Sequence, residues 1–135
     1  MLAVSLNAAR VLVLGVAFKR NVDDARNSPA ERVIEVLLNY GAQVRYHDPY
    51  VPRFKVGGNV FRRGVAEFKS IALTRAAIRA SDVVVIVTPH SSVNYRLVVE
   101  HAPLIIDSAN VTHGLGHTEK IARVGAPNPR SEVKP

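Results

Sequence analysis

The stretch Val11–Arg32, VLVLGVAFKRNVDDARNSPAER, decides the fold. With Arg10 in front, its opening RVLVLGVA (Arg10–Ala17) is a short, continuous apolar run rich in Val and Leu, which suits a strand buried on both faces in a parallel sheet. Its far end, SPAE at Ser28–Glu31, reads as a helix start: Ser28 caps, Pro29 takes the first helical position and Glu31 completes a capping box. Between the two, five charged residues fall within the eight positions Lys19–Arg26. A buried strand that feeds a capped helix through a charged connection is the beginning of an α/β unit.

The same grammar continues outward. Ala30, Val33, Ile34, Leu37 and Leu38 share a helical face, and Gly41 is a left-handed terminator. AQVRYHDPYVP (Ala42–Pro52) supplies a second strand that Asp48-Pro49 must end, because proline cannot continue the ladder. Val56–Asn59 is a turn, and Phe61–Leu73 reads equally as a short strand or an irregular return. Thr74–Ala80 is a short helix leading into VVVIVT (Val83–Thr88), the clearest buried strand, which Pro89 closes. Val93–Glu100 reads as a helix, Pro103–Asp107 as a further buried strand and Lys120–Pro127 as an edge strand. Strands alternating with helices imply an α/β domain of three layers, a Rossmann-like, doubly wound and mainly parallel sheet with helices on both faces.

Composition sets the outer limits. A chain of 135 residues that is 47% apolar holds one ordinary domain with a real core. With no cysteine there is no disulfide, thiolate metal site or cysteine nucleophile within these residues, and a cytoplasmic location fits best. No apolar run approaches the roughly 20 residues of a membrane helix, and Met1–Ala9 lacks a basic start, so neither a span nor a signal peptide is read. The net charge of +7 suits an anionic partner. Nucleic acid ranks last among those, because the basic residues are dispersed, aromatic content is 6% and no nucleic-acid motif is present.

In doubly wound sheets, ligands sit beyond the carboxyl ends of the strands. That brings Phe18–Arg26, Asp48–Arg53, Thr88–Ser92 and Asp107–Thr112 to one rim, where Lys19, Arg20 and Arg26 offer charge-assisted donors. The plainer alternative pairs Asp23 and Asp24 with Arg26 and Arg20 as a solvated cluster worth less than about 1 kcal/mol per pair. GVAFKR lacks the glycines of a dinucleotide fingerprint, so the connection is not expected to cradle a pyrophosphate by itself. The five histidines have no metal-ligand spacing on a firm helix, and Ser91 and Ser92 have no nucleophile elbow around them. The expectation is therefore no catalytic residue and no metal ligand in this chain.

Several motifs together resemble the C-terminal domain of the UDP-glucose/GDP-mannose dehydrogenase family. They are AFK at Ala17–Lys19, DDARNSP at Asp23–Pro29, HDPYVP at His47–Pro52, VTPHSSVNY at Val87–Tyr95 and LIIDSAN at Leu104–Asn110, and they are most similar to those of UDP-N-acetylglucosamine 6-dehydrogenases. The resemblance implies two NAD-dependent oxidations of a UDP-sugar C6 alcohol to a carboxylate through a cysteine-bound intermediate, within polysaccharide biosynthesis. It places the glycine fingerprint, most of the NAD contacts and the cysteine in other domains, so this chain alone is expected to be inactive. It further implies that Phe18 and Lys19 contact the UDP-sugar, that Arg26 reaches NAD, and that Asp23 and Asp24 position Lys19 and Arg26. The sequence departs from the family where Pro89 stands for an Asp and Ala109 for a substrate-binding Arg, with further changes at Val22, Asn27 and Asn94.

These readings divide the chain into an extension (1–9), a nucleotide-sugar-binding domain (10–127) and a polar tail (128–135). The alternative is a stand-alone, non-catalytic module binding a nucleotide or nucleotide sugar. Pairing with a separate NAD-binding domain or chain, or with a second copy, stays open.

Overall fold

The computed structural model describes residues 7–123. Five parallel strands form the main sheet: β1 (Arg10–Leu14), β2 (Gln43–His47), β5 (Val83–Ile86), β6 (Ile105–Asp107) and β7 (Ile121–Arg123), in the order β2-β1-β5-β6-β7. Helix α1 (Pro29–Asn39) joins β1 to β2, α2 (Arg75–Arg79) precedes β5, and α3 (Tyr95–His101) joins β5 to β6. Chain order reverses between β1 and β5, which makes their carboxyl ends the topological switch point. The three-layer α/β architecture expected from the sequence is the one observed.

Alternation along each central strand shows why it had to be apolar throughout. Val11 and Val13 enter one core with Val83, Val85 and Ile34 of α1, while Leu12 and Leu14 enter the other with Val84, Ile86, Ile78 of α2 and Val98 of α3. Both faces are covered, so Val11–Leu14 and Val83–Ile86 are buried throughout, and only Arg10 at the entry to β1 meets water. Each fully buried Leu or Ile contributes on the order of 1.5–3 kcal/mol.

Helix α1 starts where the sequence places it, with a simpler cap than expected. Ser28 Oγ accepts from the Ala30 amide at 3.1 Å and donates to the Ala17 carbonyl at 3.3 Å, so Ser28 caps through its own side chain and ties the helix to the strand connection. Glu31 donates its amide to the Ser28 carbonyl and makes no reciprocal side-chain bond, so Ser28 caps through the Ala30 amide alone and the expected capping box is not formed. At the other end, Gly41 at φ 86° lets its own amide reach Leu38 O and that of Ala42 reach Leu37 O, which satisfies the last carbonyls.

The region open between strand and irregular return, Phe61–Leu73, holds a short strand, β4 (Ala66–Lys69), which pairs antiparallel with β3 (Arg53–Val56), a strand not expected from the sequence, whose last residue falls in the expected Val56–Asn59 turn. Phe54 and Val56 pack into the α1 core, and Phe61 lies under the Arg32 guanidinium at 4.2 Å. Buried Glu35 accepts from Asn59 Nδ2 at 2.6 Å, locking the hairpin loop to the helix. The edge strand is Ile121–Arg123, and the rest of the stretch to Pro127, like the 128–135 tail and residues 1–6, lies outside the described residues. Among the described residues no helix is long and apolar enough to cross a membrane.

Gly15 ends β1 at φ 85°, and a Cβ there would overlap the Thr88 carbonyl oxygen at the end of β5. Left-handed backbone costs a non-glycine residue about 1–2 kcal/mol before any overlap is counted. Gly15→Ala is expected to lose at least about 2 kcal/mol in urea denaturation. An unchanged midpoint would show that the strand ends do not meet this closely.

Candidate functional site

The four expected segments meet at the carboxyl ends of the strands, and three of them are joined by one carboxylate whose place on the rim, but not its role, is legible in the sequence. Asp48, 2% exposed, follows β2. Its Oδ2 accepts from the Val16 amide at 2.8 Å, the Ala17 amide at 3.1 Å and His90 Nε2 at 2.8 Å, while Oδ1 accepts from the Tyr50 amide at 2.8 Å. Ser70, just after β4, holds the Asp48 backbone through its hydroxyl, accepting from the amide and donating to the carbonyl. One residue thus ties the β1 connection, the β2 end, the hairpin and the loop after β5.

The hydrogen bonds also assign the histidine tautomer. His90 Nδ1 accepts from the Asn21 amide at 2.9 Å, so the ring proton sits on Nε2 and is donated to Asp48. Tyr50 packs its ring against the imidazole at 4.8 Å between centroids. A second buried carboxylate, Asp107 at the end of β6, folds its own loop by accepting from Ala109 N, Thr112 N and Thr112 Oγ1.

These anchors fix the charged connection at both ends. Ala17 is buried with its amide on Asp48 and its carbonyl taken by Thr88 Oγ1 at 2.7 Å and by Ser28. Asn21 is bound to His90 and Ser91. Phe18, Lys19 and Arg20 span the gap and are exposed, Phe18 by 53% although it is a large apolar residue. The Lys19 side chain has no hydrogen bond or ion pair among the described residues.

The expected acid–base pairings divide. Asp24 takes the Arg26 amide and Nε on Oδ1 and Arg26 Nη2 on Oδ2 at 3.1 Å, so Asp24 does hold Arg26. Arg20 donates Nε to the Pro89 carbonyl at 2.9 Å rather than pairing with an aspartate, and exposed Asp23 makes no such bond to Lys19. Among the described residues no group of three or more His, Asp or Glu is placed to hold a metal ion.

The first turn after β1 does not fit a dinucleotide pyrophosphate. Its Val16 and Ala17 amides, the donors that such a turn would offer to an anion, are already engaged by the Asp48 carboxylate. Sequence reasoning missed Asp48, His90 and Asn21 as organisers of the rim. The available signals were an Asp immediately before Pro49 at a strand end and a His immediately after Pro89 at another.

Comparison with known proteins agrees with this geometry. The family model for the UDP-glucose/GDP-mannose dehydrogenase family, UDP binding domain, matches residues 12–114. A UDP-N-acetyl-D-mannosamine dehydrogenase of Pyrococcus horikoshii is 33% identical over 109 residues, covering 76% of this chain and 22% of that protein. A UDP-glucose 6-dehydrogenase of Rickettsia prowazekii is 30% identical over 113 residues, covering 78% of this chain and 25% of that one. The solved structure of the Pyrococcus horikoshii UDP-D-ManNAc dehydrogenase superposes with a TM-score of 0.68 at 27% identity, over 90% of this chain and 27% of that one. The chain therefore spans about a quarter of the length of these relatives.

The Asp24–Arg26 pair makes a pH-dependent signature. The Arg26 side-chain hydrogen bonds, with the Arg26 amide, pull the Asp24 carboxyl down from 3.8 to about 2. The folded value lies below the unfolded one, so any stabilisation from the pair is present above pH 3.8 and is lost as pH falls through about 2. Carbon-detected NMR titration should find Asp24 ionised well below pH 3.8 and returned toward that value in Arg26→Ala. The same low titration in both proteins would break the assignment.

Proposed function

Because the chain belongs to the UDP-glucose/GDP-mannose dehydrogenase family and matches its UDP-binding domain, we propose that residues 10–127 bind the UDP portion of a nucleotide sugar on the rim at the β1/β5 switch point. The observation that carries this reading is the connection Phe18–Arg26. It is pinned at Ala17 by Asp48 and at Asn21 by His90, yet it presents an exposed aromatic ring and an ammonium that has no partner among the described residues. A surface loop without a ligand has no use for that rigidity, whereas a binding loop gains affinity from it by losing less freedom on association. Phe18 offers a flat apolar face to a base or sugar, and Lys19 a charge-assisted donor to phosphate or hydroxyl.

Within a larger assembly, Arg26 would meet NAD held by another domain, oriented by its three bonds to Asp24. NAD supplies hydride acceptance when bound, and the residues here contribute only orientation and charge. The assembly, with a UDP-sugar, two molecules of NAD that each take up one hydride, one water and a thiol outside these 135 cysteine-free residues, would oxidise the sugar C6 alcohol to a carboxylate in cytoplasmic polysaccharide synthesis. Asp23 is exposed and, among the described residues, makes no side-chain hydrogen bond or ion pair, so its part in positioning Lys19 would have to arise once a ligand is bound.

Calorimetric titration tests the reading. The chain should bind UDP, more weakly as salt rises because the loop is exposed. Lys19→Ala should lose roughly 1.5–3 kcal/mol of binding, the scale of a hydrogen bond to a charged group. Equal UDP affinity in the two proteins would remove Lys19 from the site, and no UDP binding by the wild type would reject the reading.

A further inference from the structure

The loop that closes the β3–β4 hairpin holds three large apolar side chains in water: Val60 is 92% exposed, Val65 64% and Phe61 58%. Single apolar residues on a surface are ordinary, whereas a cluster of them marks a contact. The loop is fastened rather than free to fold back. Asn59 Oδ1 accepts from the Phe61 amide at 2.8 Å and the Arg62 amide at 3.1 Å, while its Nδ2 is held by buried Glu35. Arg62 Nη1 donates to Asn39 Oδ1 at 3.1 Å, which ties the loop a second time, to the residue that closes α1.

Charge supplies a second observation, independent of the first. The hairpin 53–69 carries five basic residues against Glu67 alone. Arg53 stands directly opposite Lys69 in the β3–β4 register, both exposed, a like-charge pairing that costs stability unless something neutralises it. Among the described residues neither has an ion pair, Lys55 makes none with Glu67 across the register, exposed Arg63 has none, and Arg62 meets only a neutral amide. Charged residues do keep a hairpin edge from pairing with other chains, which would account for Arg53, Lys55 and Lys69. That role gives no reason to expose two valines and a phenylalanine beside them. A second copy of the chain would press the same cations against these. Single-stranded nucleic acid would seek aromatic rings for stacking, and the one ring of this loop already lies against the Arg32 guanidinium at 4.2 Å. Bare aliphatic groups beside unneutralised cations match a layer of anionic headgroups over acyl chains.

We propose that the β3–β4 loop docks on an anionic lipid surface, with Val60, Phe61 and Val65 entering the boundary between headgroups and acyl chains while Arg62, Arg63 and the outward cations of the strands meet the headgroups. Such a contact needs no spanning helix. The loop is tied to the last turn of α1, whereas Ser28 at the first turn is tied to the rim, so the proposal does not rest on the nucleotide reading.

The test is co-sedimentation with vesicles of phosphatidylcholine alone and of phosphatidylcholine with phosphatidylglycerol, using the wild type, Val60→Ser/Val65→Ser and Arg53→Gln/Lys69→Gln, with thermal melts to confirm folding. The wild type should bind the anionic vesicles and not the neutral ones, and less as salt rises. Both double variants should lower the bound fraction at least about threefold at low salt, since apolar burial and headgroup attraction act together. Val60→Trp adds a direct readout, because the chain has no tryptophan of its own, and its emission should move to shorter wavelength on anionic vesicles. Undiminished binding in Val60→Ser/Val65→Ser, or an unshifted emission in bound Val60→Trp, would show adsorption through net charge alone and overturn the proposal. Equal binding to both vesicle types, or to neither, would overturn it as well. Binding to polyglutamate that depends on Val60 and Val65, with vesicles ignored, would assign the loop to an acidic protein and overturn the lipid surface. Valine-dependent binding to anionic vesicles by a chain that fails to bind UDP would support this inference and reject only the nucleotide reading.

Discussion

The rim depends on a carboxylate taken out of water. Asp48 is buried at the end of β2, and its two oxygens are saturated by three backbone amides and one imidazole. Burying a carboxylate without partners is prohibitive, so the loops must bring these donors to it. Leaving any one buried donor without its acceptor costs about 1–3 kcal/mol. The constraint runs both ways: the carboxylate fixes the loops, and the loops make the buried carboxylate tolerable.

That arrangement also explains why the proposed site of this Rossmann-like sheet lies away from its first turn. The amides of Val16 and Ala17 stand where such a turn would receive an anion, and here the anion is the protein's own side chain. In the proposed site, ligand contact would be displaced outward to Phe18 and Lys19, on the arm that leaves the anchored Ala17 and returns at the anchored Asn21. Asp107 repeats the device at the end of β6, turning Ala109–Thr112 into the opposite side of the rim. The site is a set of short exposed arms on a frame whose polar groups are nearly all engaged.

Much of the frame was legible in the sequence because burial on two faces demands uninterrupted apolar runs. Val11–Leu14 and Val83–Ile86 could hardly be anything else, and Ser28, Pro29 and Gly41 mark the ends of α1 by local backbone chemistry. The hairpin was not legible: RFKV and AEFK are four residues each, half charged, and acquire their strand character only from pairing with one another and packing under α1. The roles of Asp48 and His90 were hidden for a different reason. Their long-range partners lie 31 to 69 residues away in the chain, and no local pattern reports a hydrogen bond of that span. Motif resemblance located the loop, but only the folded chain shows what holds it still.

The most direct test of this account is nitrogen NMR of the His90 imidazole in the wild-type protein at neutral pH. If Asp48 organises the rim as described, Nε2 carries the ring proton and Nδ1 is unprotonated, accepting from the Asn21 amide. A proton on Nδ1, or shifts averaged between the two tautomers, would mean that the chain from Asp48 through His90 to Asn21 is not formed and that the binding loop lacks the anchor on which everything else rests.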